Sequence, residues 1–177
     1  CTIYPMRIPR IFYPFELEEK NSINLDISSS HHLNVINIKL EQEVELFNGR
    51  GDSFKAKVLE KNKKNISLKK ISEIKSKKKQ IPSINIAVAE IKSFDKVVRE
   101  SCQLGVNSIN SLMTKRTKSS NLAGEKKIQR WKVIASNSCE QCGLNWVPDI
   151  KASSLEDWIF SSKSKNKIFL DPKSHNK

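Results

Sequence analysis

Apolar and polar residues alternate with strand-like spacing in the first part of this chain and shift to helical spacing in the second. Ile23, Leu25 and Ile27 are each separated by a polar residue, as a strand with one buried face requires. Residues 10–15 read as a short aromatic strand closed by Pro14. Residues 44–47 and 54–59 read as hairpin partners around Asn48-Gly49-Arg50-Gly51, a turn in which Asn and Gly accept positive φ. Residues 65–70 form a further strand, with Ile66 and Leu68 on one face. Ser28, Ser29 and Ser30 supply the N-cap for a helix over residues 31–39. Several short strands and one small helix predict a compact β-barrel.

Beyond it, residues 84–91 and 108–114 read as strands, and residues 94–104 as a helix carrying Phe94, Val97, Val98 and Cys102 and stopped by Gly105. The strongest helix spans 125–142. Ile128, Trp131, Ala135, Cys139 and Cys142 fall on one stripe of it, and Gly143 ends it. Residues 147–150 give a third strand, residues 154–160 a helix capped by Ser153 or Ser154, and residues 167–170 a fourth strand. Strand and helix alternate, so a parallel sheet with crossover helices is expected. A lysine-crowded stretch ending in Lys75-Ser76-Lys77-Lys78-Lys79-Gln80-Ile81-Pro82 reads as a linker. The division is therefore a barrel over 6–76, a linker over 77–83 and an α/β domain over 84–177, with Cys1 to Pro5, ahead of Met6, left outside the fold.

Charge adds a partner to this picture. Lys and Arg exceed Asp and Glu by 13 and the pI is near 9.7. That balance favours a polyanion, although a lysine-, asparagine- and isoleucine-rich composition also follows from an AT-rich genome. No apolar run reaches the ~18–20 residues that span a bilayer, no segment reads as a secretory signal, and the four cysteines form no disulfide framework. A cytoplasmic protein with reduced thiols is expected. With five glycines and neither a GxGxxG nor a P-loop pattern, nucleotide hydrolysis and a dinucleotide site are not expected. Cys139-Glu140-Gln141-Cys142 has CxxC spacing but no second ligand pair, and it sits at a helix C-terminus on the apolar stripe. Buried core cysteines are expected there, and no metal. Of His31-His32, one is expected to face the barrel core.

Basic residues near aromatic ones point towards RNA. Arg7 and Arg10 lie beside Phe12 and Tyr13, Lys39 and Arg50 belong to the barrel, Lys115 and Arg116 follow a strand end, and Arg130 adjoins Trp131. Arginine grips phosphate through paired hydrogen bonds, and aromatic rings stack on unpaired bases. Taken singly, each cluster reads more readily as a solvated face or a core aromatic. Together with the net charge they are the candidate RNA contacts.

Several segments then carry a resemblance. Met6-Arg7-Ile8-Pro9-Arg10-Ile11-Phe12, the stretch from His32-Leu33 to Lys39, Glu45-Leu46-Phe47-Asn48-Gly49 and Glu100-Ser101-Cys102-Gln103-Leu104-Gly105-Val106 occur in that order. They are followed by Lys127-Ile128-Gln129-Arg130-Trp131 through Cys139-Glu140-Gln141-Cys142-Gly143 and by Val147-Pro148-Asp149-Ile150. The set resembles the bacterial 16S rRNA (uracil-N3) methyltransferases from Met6 to about Pro172. The resemblance implies an N-terminal PUA-like β-barrel that helps hold rRNA, followed by a SPOUT-type α/β domain with a trefoil knot. It also implies S-adenosyl-L-methionine as methyl donor, a homodimer, no metal, and transfer of a methyl group to N3 of a uridine.

The family's donor-binding signatures, a Gly-Pro-Glu-Gly-Gly loop and an Arg-Thr-Glu segment, do not occur in these 177 residues. The second domain is therefore expected to be incomplete and the chain inactive by itself, with a non-catalytic RNA-binding remnant as the alternative. No catalytic or donor-binding residue is assigned. Leu144 stands where an Arg is common, Gln103 and Lys115 where Glu is common, and Arg99 where Lys is common.

Overall fold

The computed structural model describes residues 8–16, 22–79, 81–117 and 122–170. Its first unit is a six-stranded sheet built from β1 (Arg10–Phe12), β2 (Ser22–Asn24), β3 (Glu43–Phe47), β4 (Asp52–Lys61), β5 (Ile66–Lys70) and β6 (Lys75–Ser76), with one helix, α1 (Ile27–Val35). The strand order is β1-β3-β4-β5-β2, and β6 pairs with β4. Period-two alternation explains the core. Val44 and Leu46 on β3, Phe54, Ala56 and Val58 on β4, and Ile66 and Leu68 on β5 point inward and meet Leu33 of α1 in one cluster. Each of these side chains other than Ala56 contributes roughly 1.5–3 kcal/mol on burial.

The same alternation sends Arg10 and Phe12 of β1, Phe47 of β3 and Ser53 of β4 to the opposite face. Phe12 and Phe47 are register partners, with ring centroids 5.6 Å apart. They pack in the core of the second unit rather than the first.

That second unit is a parallel sheet of β7 (Asn85–Ala89), β8 (Ser108–Met113) and β9 (Asp149–Ser154), in that order. Its crossovers are α2 (Phe94–Gln103) and α3 (Glu125–Cys142), which pack on each other over Ile109 and Ile150. A short α4 (Leu155–Ser161) follows β9 and buries no residue.

The structure departs from the sequence pattern in three places. The serine run does not cap α1. The Asp26 side chain accepts from Ser29 N, so the helix starts at Ile27, which is exposed rather than part of a strand face. Carboxylates and serine compete for the same cap, and Asp26 lies one residue ahead of the helix. The third strand starts at Asp149, because Trp146 and Val147 are taken by the first unit: Trp146 bridges Arg50, and Val147 N donates to Gly49 O at 2.9 Å. No strand forms at residues 167–170. Ile168, Phe169 and Leu170 are exposed, since an apolar run becomes a strand only beside an edge that accepts its backbone. Within the expected linker Lys77 N still donates to Gly51 O at 2.9 Å.

Candidate nucleic-acid interface

Two glycines allow the units to approach closely. Gly49 (φ 74) and Gly51 (φ 107) occupy the left-handed region, and a Cβ on either would lie 2.7–3.0 Å from Phe12, Val147, Trp146 or Lys77. The close approach is then hydrogen-bonded. Asn145 Nδ2 donates to Gly51 O and Ser53 Oγ, both at 3.1 Å, and Gly51 N donates to Asn145 O at 3.0 Å. Trp146 Nε1 donates to Lys77 O at 2.8 Å. Arg10, whose side chain is 7% exposed, donates through Nη2 to Asn145 Oδ1 at 2.6 Å and to Leu144 O at 3.3 Å. It also lies 4.7 Å over the Phe47 ring and pairs with Glu45 at 3.5 Å. That last contact is an ion pair without hydrogen-bond alignment. Arg10 is therefore a member of the joint, not a surface contact. Leu144 serves the joint through its carbonyl, while its side chain packs in the second core.

Glu140 also crosses the joint, accepting from Phe12 N at 2.7 Å. Burial raises its carboxyl above the ordinary value of 4.5, opposed by the Phe12 N–H and the nearby His32 and Arg10. A carboxyl whose folded value is raised adds stability at low pH that is lost as pH climbs through that raised value. Denaturant unfolding across a pH series upward from 4.5 is expected to show this decline. Glu140→Gln, which keeps an acceptor for Phe12, is expected to remove it; identical pH slopes in the two proteins would refute the assignment.

Beside the joint lies a cleft of 1040 Å³ between α1 and α3. His31 and His32, both exposed, form one wall, so neither faces the barrel core as expected. The other wall is a second stripe of α3, with Gln129, Lys132, Ser136, Asn137 and Glu140 at three- and four-residue spacing beside the apolar one. Arg50, Lys79 and Trp146 line it too, with Lys79 5.2 Å over the Trp146 ring. Three carboxylates also line the cleft, but each is engaged. Asp26 caps α1, Asp149 pairs with Lys151 at 2.8 Å, and Glu140 accepts from Phe12 N at 2.7 Å. Arg50, Lys79 and Lys132 make no ion pair among the described residues. The cleft can therefore take a chain of anions beside partly apolar surfaces.

The other candidates scatter. Arg7 lies outside the described residues. Lys39 is exposed away from the cleft, while Lys115 and Arg116 sit on the turn after β8. Arg130 is exposed and paired with Asp95. In the CxxC pair, Cys139 is buried but Cys142, the last residue of α3, is exposed, so the expectation of two buried core cysteines holds for Cys139 alone. A hydrogen bond with Cys102, together with burial, pushes the Cys139 thiol far above its ordinary value, and its Sγ lies 3.5 Å from Trp146 O. This thiol is a packed member of the joint. Among the described residues no group of three or more His, Cys, Asp or Glu is placed to hold a metal, and no helix is long and apolar enough to cross a membrane.

Solved structures share this arrangement. A methyltransferase from Legionella pneumophila in complex with SAM superposes with a TM-score of 0.82 at 24% identity, covering 94% of this chain and 72% of that one. A ribosomal RNA small subunit methyltransferase E from Neisseria gonorrhoeae, bound to S-adenosyl methionine, gives 0.79 at 22%, covering 89% and 67%. The fold is thus that of a PUA-like domain joined to an α/β methyltransferase domain. The chain belongs to the RNA methyltransferase family: the family's RNA methyltransferase domain matches residues 75–177 and its PUA domain residues 13–71. Among relatives, the ribosomal RNA small subunit methyltransferase E of Buchnera aphidicola subsp. Acyrthosiphon pisum is 28% identical over 180 residues, 95% of this chain and 69% of that protein. Its counterpart in subsp. Schizaphis graminum is 30% identical over 156 residues, 82% of this chain and 61% of that protein.

Proposed function

We propose that the chain acts in S-adenosyl-L-methionine-dependent methylation of N3 of a uridine in 16S rRNA, in the cytoplasm and as a homodimer. Residues 6–76 hold the RNA and residues 84–177 belong to a SPOUT-type catalytic domain. The observation that carries this reading is the methyltransferase domain match over residues 75–177. Relatives named for small-subunit rRNA methylation support the substrate, and the SAM-bound neighbours support the donor.

At the joint between the two units the glycines do not fit the donor. Side chains and backbone crowd Gly49 and Gly51, the Arg10 guanidinium lies beside Gly143, and none of the three leaves an open backbone cradle. The described residues supply the RNA side. Arg50, Lys79 and Lys132 neutralise phosphates along the cleft while the hydrogen-bonded joint holds the orientation between the two units. That orientation decides which base of a bound strand reaches the second domain.

Two measurements test this. Nucleoside analysis of 16S rRNA from cells with the gene disrupted is expected to show loss of N3-methyluridine, and an unchanged level would overturn the methylation reading. For the cleft, the log of the purified chain's affinity for a 16S rRNA fragment should fall linearly with log salt. Arg50→Ala with Lys132→Ala is expected to reduce that slope by about 1.4, as two lost phosphate contacts on a single strand predict. An unaltered slope would remove the cleft from the interface.

A further inference from the structure

On the far side of α3 from the cleft, at the carboxyl end of the parallel sheet, lies a separate basin of 630 Å³. It opens where β7 and β8 end, the side on which open α/β sheets receive ligands. The turn after β7 supplies Lys92, the turn after β8 supplies Arg116, and α3 supplies Lys127 and Arg130. Glu90 and Asp95 face them, but both carboxylates are engaged: Glu90 pairs with Lys127, and Asp95 pairs with Arg130 and accepts from Trp131 Nε1 at 3.1 Å. Lys92 and Arg116 are exposed and make no ion pair among the described residues. The lining thus carries more positive charge than negative.

Three further features favour an anion. The floor is formed by the buried rings of Phe94 and Trp131, with centroids 4.4 Å apart, a rigid apolar base that weakens screening beneath the charges. The amino end of α2 opens on the basin, and its helix dipole adds to the positive field there, with Phe94 N and Lys96 N already donating to Ile91 O and Ser93 O. Arg130 sets one nitrogen on Asp95, while its guanidinium carries five donors, enough to meet a second anion.

We propose that this basin binds a phosphate group of the RNA strand, as an anchor separate from the interdomain cleft. The proposal rests on the RNA-directed reading above. No lining residue is shared between basin and cleft, and α3, a cylinder about 10–12 Å across, is all that divides Lys132 on one side from Arg130 on the other. A strand draped over α3 would engage both. The buried floor rules out base stacking here, so the anchor reads backbone and not sequence.

The test follows backbone amides of the isotope-labelled chain by NMR during titration with inorganic pyrophosphate, and measures affinity for a single-stranded RNA across a salt series. Saturable shifts are expected at residues 92–95 and at Arg116. In the double variant Lys92→Ala with Arg116→Ala those shifts should vanish, RNA affinity should fall about tenfold, and the salt slope should drop by about 1.4. Both side chains are exposed and make no ion pair among the described residues, so the melting temperature should not move, and a melting loss would be answered by repeating the series with Lys92→Gln and Arg116→Gln.

The cleft variant Arg50→Ala with Lys132→Ala separates the two ideas. If it weakens RNA binding while the basin variant binds RNA like the parent, the basin proposal falls and the cleft reading stands. If neither variant changes RNA binding, both fall. Loss of pyrophosphate shifts with RNA binding intact would assign the basin to a free phosphate-bearing molecule and overturn the RNA anchor. Absence of any shift with pyrophosphate would overturn the site itself.

Discussion

Trp131→Ala is expected to destabilise the chain by about 3–5 kcal/mol, among the largest effects of any single substitution. Trp131 is 1% exposed and packs on Phe94 between the two crossover helices. Truncation removes its apolar surface, leaves a cavity that α2 and α3 fill only in part, and strips Asp95 of an indole donor. Lys127, which lies 5.9 Å over the ring, also loses a partner. For a chain of this size the melting temperature should fall by roughly 6–20 °C, at about 2–4 °C per kcal/mol. Trp131→Phe should cost much less. A loss below about 1 kcal/mol for the alanine variant would show that this core does not depend on the indole.

Asn145→Ala is expected to cost about 2–4 kcal/mol by a different route. Asn145 is 2% exposed and has each side-chain polar atom committed: Oδ1 accepts from Arg10, and Nδ2 donates to Gly51 O and Ser53 Oγ. Alanine leaves a nearly buried guanidinium short of an acceptor and two oxygens short of a donor. The damage lies between the units rather than inside one. Hydrogen exchange should therefore quicken together at the amides of Gly51 and Val147, which are bonded across the joint. Asn145→Asp restores the acceptor but not the donor and should recover part of the loss. Exchange at those amides unchanged from the parent would mean that the joint is held by packing alone.

Apart from β6, inside the stretch read as a linker, and the strand expected at residues 167–170, the order of elements was legible because it rests on local spacing. The run from Glu125 to Cys142 carries an unbroken helical stripe with Gly143 after it, and the helix forms over those residues. What the pattern missed depends on contacts distant in sequence. Nothing near Arg10 announces that Asn145 will bind it, because the partners meet only when β1 lies against the end of α3. An aromatic neighbourhood made Arg10 look like an RNA contact, whereas its aromatic partner, Phe47, holds it inside the protein. The cleft was partly readable. Gln129, Lys132, Ser136 and Glu140 repeat at helical spacing beside the apolar stripe, but a polar stripe reads as a solvated face until α1 is seen opposite it. His31 and His32 lie on that opposite wall for the same reason that α1 starts early. Moving the cap to Asp26 leaves Ser30 and Leu33 as the buried residues of the helix and turns both histidines outward.

Phe12 and Phe47 belong by sequence to the barrel and by packing to the methyltransferase domain. The two units are thus not interchangeable modules. A recombination event joining this α/β segment to an unrelated RNA-binding barrel at the lysine-rich stretch would deliver a chain with two rings missing from its second core and no guanidinium to meet Asn145. Descent is constrained accordingly: changes on the outer face of β1 and β3 have to be matched at the end of α3, so the halves of this enzyme family's shared architecture are bound to drift in concert.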